Sequence, residues 1–396
     1  MTTQHHIERA HAGLAVASAR SEISSFIVMD VMRAAAAAEA EGRHIIHMEV
    51  GQPATAAPKA AREAVKRAID TQNLGYTLAL GMDPLRRRIA GLYRDWYGID
   101  LDPGRVVVTS GSSAAFVLGF LAMFDAGDAV GLPSPGYPCY RHILTALGCR
   151  PVNIETGPEN RWMPTAEGIA EAIERHSLKG LLLASPSNPT GTMLEPDRLD
   201  AIAGVCRDRG VWFISDEIYH GLTYGLPART ALAASDEAVI INSFSKYFSM
   251  TGWRVGWMVV PERLVRPVER LTQNLYISPP AIAQVAALGA FDGIQELESN
   301  RAVYVANRDL LLRELPKAGF DKIVPADGAF YLYCDVSAMT SDSLAFTRRM
   351  LTEAGVAATP GLDFDEARGA RFVRFSYAGA TADMAEAARR LQTWRP

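Results

Sequence analysis

The sequence predicts an α/β protein with a mainly parallel β-sheet that is covered by helices on both faces. Short apolar runs alternate with longer stretches of helical periodicity through the middle of the chain, as expected when helices connect parallel strands. Turn-forming residues bound these runs, and their apolar content is typical of strands buried on both faces. Reactive groups should then lie beyond the carboxyl ends of the strands. The predicted strands are Arg105–Thr109, Ala129–Leu132, Gly180–Ala184, Val211–Ser215 and Val239–Asn242, and the clearest helices between them are Ala114–Met123 and Pro196–Arg209.

The two ends of the chain have a different pattern. Phe26–Glu41 is an alanine-rich helix candidate, and the C-terminal third mixes predicted helices with two predicted strands, Phe330–Asp335 and Phe372–Tyr377. A length of 396 residues is sufficient for two domains. We therefore expect a large domain, a small α+β domain after it, and an N-terminal segment that packs with the small domain. The expected bounds are 46–290, 291–396 and 1–45, respectively.

Composition and charge argue against several classes of protein. The 40 basic and 44 acidic residues nearly balance, so no basic face for nucleic acid is expected. The longest apolar runs are far shorter than a bilayer span, and Met1–Arg20 lacks the apolar stretch of a signal peptide. The four cysteines form no CxxC pair, so neither disulfides nor a metal site is expected. We expect a cytoplasmic protein that binds neither nucleic acid nor a membrane.

A lysine and a carboxylate follow two of the predicted strands. Lys246 lies in the segment SFSKY at 243–247, directly after one strand. Taken alone, such a segment is more often a solvated loop. Asp216 ends another strand, and Tyr219 follows three residues later, so a carboxylate could pair with a protonated ring nitrogen while a phenol reaches the same ring. An ordinary helix N-cap is the simpler interpretation of that aspartate.

Other strand ends carry groups suited to a phosphate or to a ring. Ser112 and Ser113 open a helix after a strand, and free amides at a helix start attract anions. Arg254 offers a charged phosphate donor. Asn188, in the segment PSNPTG at 186–191, is in isolation best interpreted as part of a turn. Together and in this order, these groups meet the separate requirements of pyridoxal phosphate chemistry.

The order of motifs resembles that of the class I and II aminotransferases of pyridoxal phosphate fold type I, over nearly the whole chain. The resemblance implies a seven-stranded, mainly parallel sheet between helices in the large domain. It also implies that Lys246 binds pyridoxal 5′-phosphate as a Schiff base and that Asp216 pairs with the pyridine nitrogen. Tyr219 and Asn188 would hydrogen-bond the ring hydroxyl, and Tyr137 would stack on the ring.

The same resemblance implies contacts to the phosphate and a shared site. The implied phosphate ligands are Ser112, Ser113, Ser243 and Arg254. Tyr76, in the segment GYT at 75–77, is similar to a tyrosine that reaches the phosphate of the neighbouring subunit. The resemblance therefore implies a homodimer whose two subunits both contribute to each site.

Two further matches concern the substrate carboxylate. Gly51 resembles a loop glycine whose amide helps to bind this group, and Arg374 resembles the arginine that clamps it, with Asn188 also binding substrate. Arg371 is a rival for the clamp, and a surface arginine on an edge strand is an equally good interpretation of Arg374 alone. Ala54-Thr55 and Asp365 depart from the family pattern, where an acidic-aromatic pair and a glycine are usual. These departures concern the substrate mouth and not the cofactor site.

The expected function is transfer of an amino group between an L-amino acid and a 2-oxo acid by a ping-pong mechanism (EC 2.6.1). The stretch 273–280 contains no Lys or Arg for a second carboxylate, so a neutral or aromatic amino acid is expected. A pyridoxal-phosphate-dependent lyase, of the β-elimination or synthase type, shares every cofactor residue and is the alternative. A ligand-sensing regulatory protein is disfavoured, because too few residues precede the first predicted helix for a DNA-binding unit. The candidates for an apolar substrate pocket are Phe26, Tyr76, Tyr276, Phe330 and Tyr331.

Overall fold

A computed structural model describes residues 16–395 of the chain. Most of the segment considered as a signal peptide, and the first fifteen residues of the expected N-terminal segment, lie outside the described residues. The strands are β1 (Ile46–His47), β2 (Val106–Thr109), β3 (Ala129–Ser134), β4 (Arg150–Glu155), β5 (Leu178–Ala184), β6 (Trp212–Asp216), β7 (Val239–Ser243), β8 (Gly256–Val259), β9 (Lys322–Ile323), β10 (Tyr331–Asp335), β11 (Val356–Ala357), β12 (Thr359–Pro360) and β13 (Phe372–Ser376). The helices are α1 (Ile27–Ala40), α2 (Lys59–Thr71), α3 (Asp83–Tyr97), α4 (Gly111–Met123), α5 (Pro138–Ala146), α6 (Ala166–His176), α7 (Pro196–Asp208), α8 (Glu262–Leu275), α9 (Ala281–Ala290), α10 (Ile294–Glu314), α11 (Ser343–Arg349) and α12 (Thr381–Thr393).

The central sheet has seven strands in the order β2-β8-β7-β6-β5-β3-β4. Strand β8 is antiparallel to both of its neighbours, and the other pairs are parallel. All five strands predicted in the middle of the chain belong to this sheet, which confirms the α/β fold class. The edge strand β4 was not predicted, since its alternation of buried and exposed residues differs from the fully buried strands inside the sheet.

Both faces of the central sheet are covered by helices. Along β2, Val106 and Val108 pack into one apolar core, whereas Val107 packs into a second core on the opposite face. This alternation follows from the two-residue period of a strand, and the two cores together explain why the strand is apolar at every position.

The C-terminal part of the chain forms a second sheet, and the N-terminal helix packs against it. The strands Tyr331–Asp335 and Phe372–Ser376, predicted to within one residue, form the middle of a four-stranded sheet in the order β12-β13-β10-β9. Strand β1 pairs in parallel with β11, and α1 buries Ala35 and Ala38 against Leu351 and Ala357. Helix α1 and strand β1 are therefore anchored on the C-terminal part of the chain.

Two further properties concern the described residues only. No helix in residues 16–395 is long and apolar enough to cross a membrane. Within the same range, no cluster of His, Cys, Asp and Glu has the grouping of a metal site.

Candidate active site

Most of the site residues predicted from the sequence meet at one edge of the seven-stranded sheet. Strands β2, β3, β5, β6 and β7 end at this edge, and the antiparallel β8 begins there. A cavity of about 540 Å³ opens at the same place. The predicted site residues that line it are Gly51, Ser112, Ser113, Tyr137, Asn188, Asp216, Tyr219, Lys246, Arg254 and Arg374. The other two, Ser243 and Tyr76, do not line it.

Lys246 follows β7 and points across the cavity. Its Nζ donates a hydrogen bond of 2.6 Å to the carbonyl oxygen of Gly51. Burial, and to a lesser extent the positive charges of Arg374 and Arg254, lower the pKa of the lysine from 10.5 to about 8, while the charge of Asp216 opposes the shift. A substantial fraction of the amine is therefore neutral near pH 8, as a nucleophile or a proton acceptor requires.

Asp216, at the end of β6, is a buried carboxylate with fixed orientation. It accepts a hydrogen bond from the hydroxyl of Tyr140 and one of 3.1 Å from the backbone N–H of Ile218. Burial raises the pKa of Asp216 to about 6, although both hydrogen bonds and the charge of Lys246 act to lower it. A buried anion of this kind is stabilised by a cationic partner, which a protonated ring nitrogen would supply.

The start of α4 forms a cradle for an anion. Gly111 has a φ of +78°, and a Cβ there would lie 2.9 Å from Cζ of Arg254, so only glycine allows the guanidinium to approach the helix so closely. No side chain caps this helix start, and Ser112 and Ser113 lie in its first turn. The free amides, the two hydroxyls and Arg254 together fit a phosphate group.

Two serines close to Lys246 take different positions relative to the cavity. The hydroxyl of Ser243 is buried within 2.8 Å of Ser245 Oγ and 3.1 Å of the carbonyl oxygen of Val255. Ser245, directly before the lysine, lines the cavity instead. Ser243 thus lies next to Ser245, and its hydroxyl donates to Ser245 and to the backbone instead of lining the cavity.

Arg374 forms the opposite end of the cavity and is 2% exposed. It lies on β13, between two neighbouring strands, and not on an edge strand. Its Nη1 donates to Asn188 Oδ1 at 2.8 Å, and its Nη2 donates to the carbonyl oxygen of Glu49. Its Nε has no hydrogen-bond partner within residues 16–395. The rival Arg371 is exposed, so burial and position favour Arg374 as the site for a carboxylate.

Aromatic side chains shape the space between these two ends. Tyr137 lines the cavity, and its ring packs edge-to-face with that of Phe26, with 5.8 Å between the ring centroids. The hydroxyls of Tyr219 and Tyr331 are 2.7 Å apart. Of the five candidates for an apolar pocket, Phe26 and Tyr331 line the cavity. The others lie elsewhere: Tyr76 is exposed at the surface, and Tyr276 and Phe330 pack in the apolar cores.

Some cavity residues were not identified from the sequence. Tyr140 lies in the first turn of α5, three positions after Tyr137, and its closeness to Tyr137 in the sequence could have revealed it. Ser245 could have been found because it adjoins the lysine. Val28, Met29 and Met32 of α1 line the cavity through a contact between distant parts of the chain, for which the sequence offers no local signal.

Comparison with known proteins agrees with this geometry. The family described as aminotransferase class I and II matches residues 43–391. The chain is 49% identical over 381 residues to the valine–pyruvate aminotransferase of Mycobacterium tuberculosis, covering 95% of this chain and 98% of the relative.

Two solved structures share the fold. One is an aminotransferase from Mycobacterium tuberculosis, with a TM-score of 0.94 and 48% identity, covering 96% of this chain and 99% of the other. The second is the aspartate aminotransferase of Thermus thermophilus with maleate, with a TM-score of 0.89 and 31% identity, covering 95% and 99%. These relatives confirm the expectation of an aminotransferase over that of a lyase. The chain therefore belongs to the class I and II aminotransferases, enzymes that depend on pyridoxal 5′-phosphate.

Proposed function

We propose that the protein transfers the amino group of a neutral, apolar L-amino acid to a 2-oxo acid. The observation that carries this proposal is the small number of basic side chains that line the cavity. Within the described part of the chain, its lining contains three basic side chains, Lys246, Arg254 and Arg374. Arg254 lies in the phosphate cradle and the lysine serves the cofactor, so Arg374 remains for one α-carboxylate. A second carboxylate, on the substrate side chain, would enter without a cation and lose hydration.

The wall facing this space supports the same substrate class. Phe26, Val28, Met29 and Met32 of the N-terminal part and Val50 present apolar surface to the cavity. Burial of an apolar side chain against such a wall contributes about 25 cal/mol per Å². The relative named for valine and pyruvate is consistent with a branched apolar donor and a small 2-oxo acid.

The cofactor site can be divided among the residues that would hold each part of pyridoxal phosphate. Ser112, Ser113 and Arg254 would bind its phosphate, with Ser245 beside them, and Asp216 would keep its ring nitrogen protonated. When bound, the cofactor supplies an electron sink for the pair left behind when the Cα–H bond of the substrate breaks. The remaining ring contacts would come from side chains around the cavity: Tyr137 against the ring face, and Tyr219 and Asn188 towards the ring hydroxyl.

Proton transfer at the substrate is the task of Lys246. The lysine lies between the two ends of the cavity, and its pKa is lowered to about 8, chiefly by burial, so a substantial fraction of the amine is neutral near pH 8 and free to accept a proton. Arg374 holds the carboxylate of the same substrate, which fixes the Cα–H bond relative to the amine. Retention of the carboxylate in an ion pair also disfavours loss of CO₂.

We further propose a homodimer in which Tyr76 reaches the phosphate of the neighbouring subunit. Tyr76 is 83% exposed, and Leu78, Leu275 and Ile277 are exposed apolar side chains of the same region. The backbone N–H of Thr77 lies 3.4 Å from Ser278 Oγ, which brings the two segments together. Exposed apolar patches of this kind are typical of surfaces that bind another chain.

The division into domains is also a proposal. A large domain at 46–290 and a small domain at 291–396 are supported by the separate four-stranded sheet, whose strands all come after residue 291. Packing of α1 on β11 and β12 supports an N-terminal segment, 1–45, that belongs with the small domain.

The proposed function is tested by the absorbance of the purified holoenzyme during titration with single amino acids. L-Valine, L-alanine and L-phenylalanine are compared with L-aspartate. We expect the visible band of the lysine-bound cofactor to disappear with valine or phenylalanine and to return with pyruvate. A faster response to aspartate would contradict the apolar substrate class.

The matched control for this experiment is Lys246→Ala. We expect this variant to show no turnover and to retain the cofactor only noncovalently, so that dialysis removes it. A variant with a nearly normal rate would contradict the role of the lysine.

A further inference from the structure

The first turn of α1 is capped from a distant part of the chain. The residue before the helix, Phe26, makes no side-chain cap. Instead the backbone N–H groups of Ile27 and Val28 donate to the two carboxylate oxygens of Asp363, at 3.1 and 3.2 Å. Because the first amides of a helix have no partner within it, a carboxylate placed there both satisfies them and opposes the positive end of the helix dipole.

Asp363 is itself held firmly. Its side chain is 1% exposed, and its carbonyl oxygen accepts a hydrogen bond of 2.9 Å from Arg141. By contrast, residues 16–25, which precede the helix, are exposed throughout. The start of α1 therefore takes its position from Asp363 and from packing, and not from the chain before it.

The first two turns of α1 and the residue before them form part of the wall of the active-site cavity. Phe26, Val28, Met29 and Met32 line the cavity, whereas the carboxylate of Asp363 does not. The far end of α1 is anchored separately, since Ala35 and Ala38 pack against Ala357 and its neighbours. Loss of the carboxylate should thus loosen the wall without detaching the helix.

We propose that Asp363 is a positioning residue for substrate selection: by holding the first turn of α1, it sets the apolar surface that receives the substrate side chain. This inference rests on the proposed function, since it concerns which amino acid is preferred. Asp363 acts through this wall, which contacts the side chain of the substrate. It has no contact with the α-carboxylate or with the reacting atoms, which Arg374 and Lys246 serve.

The test compares Asp363→Ala with the wild type in two measurements. The first is amide hydrogen exchange at Ile27 and Val28, which we expect to become about five-fold faster, as for loss of a helix cap. The second is kcat/KM for L-valine divided by kcat/KM for L-alanine, which we expect to fall by a similar factor. L-Alanine offers the same carboxylate and Cα but has little side chain to reach the wall.

The matched control is Asp30→Asn, a change at another carboxylate in the first turn of the same helix. Asp30 is half-buried and pairs with Arg33; it accepts no hydrogen bond from the amides of Ile27 and Val28 and does not line the cavity, so we expect neither measurement to change. Should Asp363→Ala fail to fold, Asp363→Asn keeps the shape and one acceptor oxygen. Exchange should then accelerate at one of the two amides, with a smaller fall in the valine preference.

Two outcomes separate this inference from the proposed function. A wild type that prefers aspartate to valine overturns the proposed function and this inference with it. A wild type that prefers valine, together with an Asp363→Ala or Asp363→Asn variant of unchanged valine-to-alanine ratio, overturns this inference alone. Unchanged exchange at both amides overturns it as well.

Discussion

Replacing Arg374 by lysine should weaken substrate binding while keeping a positive charge in the site. The guanidinium donates from two nitrogens and lies over the ring of Tyr331, with Cζ 4.4 Å from the ring centroid. A lysine ammonium cannot present two parallel N–H groups to a carboxylate or stack in this way. We therefore expect the variant to lose one charge-assisted hydrogen bond to the substrate.

The size of the effect follows from that loss. One hydrogen bond to a charged group contributes about 1.5–3 kcal/mol, which corresponds to a fall in kcat/KM of about 10- to 150-fold. Because the carboxylate is bound in both the ground state and the transition state, most of the change should be in KM. The assay is initial rates with varied amino acid and with varied 2-oxo acid, since both carry the carboxylate.

Arg371→Lys is the control for this prediction. Arg371 lies three residues away and is exposed, so the same substitution there should leave the kinetics unchanged. Thermal unfolding of both variants checks that the fold is intact. If Arg374→Lys had wild-type kinetics, or if Arg371→Lys had the larger effect, the carboxylate would have to bind elsewhere.

Two further predictions concern close packing and pH. Gly51→Ala should lower stability by about 1–3 kcal/mol and raise KM, because a Cβ at this position would lie 2.7 Å from Cζ of the buried Tyr331. The control in urea unfolding is Gly204→Ala in α7, where a Cβ would lie 3.7 Å from its nearest neighbour, and equal unfolding midpoints for the two variants would contradict the expected clash. His47 has its pKa raised from 6.5 to about 9, chiefly by its hydrogen bond to Glu49, so its contribution to stability is fully present below pH 6.5 and is lost as pH rises through 9. Unfolding of His47→Gln between pH 6 and 9.5 should therefore lose less stability with rising pH than the wild type, and parallel curves would refute this.

The residues at strand ends could be predicted from the sequence because strand and motif adjoin in the chain. Asp216 closes β6 and Lys246 follows β7, so locating the strand also locates the side chain at the edge of the sheet. The phosphate cradle was predicted for the same reason, since Ser112 and Ser113 open the helix after β2. Local pattern and global position agree wherever a strand leads directly into the site.

Contacts between distant segments could not be predicted in this way. Nothing in the sequence around Asp363 indicates that it caps a helix 335 residues before it. The distinction between Ser243 and Ser245 depends on which of two nearby hydroxyls faces the cavity, and the sequence is compatible with either. Such choices are made by tertiary packing and not by local periodicity.

The position of Arg374 couples ligand binding to the relative orientation of the two sheets. The arginine belongs to the four-stranded sheet, yet it donates to Asn188, which follows a strand of the seven-stranded sheet, and to the carbonyl oxygen of Glu49, which follows β1. If Arg374 binds the carboxylate as we propose, these hydrogen bonds link the ligand to both sheets, so affinity and the relative orientation of the sheets should form one linked equilibrium. A substitution far from the cavity that tilts one sheet against the other would register as a change in apparent affinity, with every ligand contact still intact.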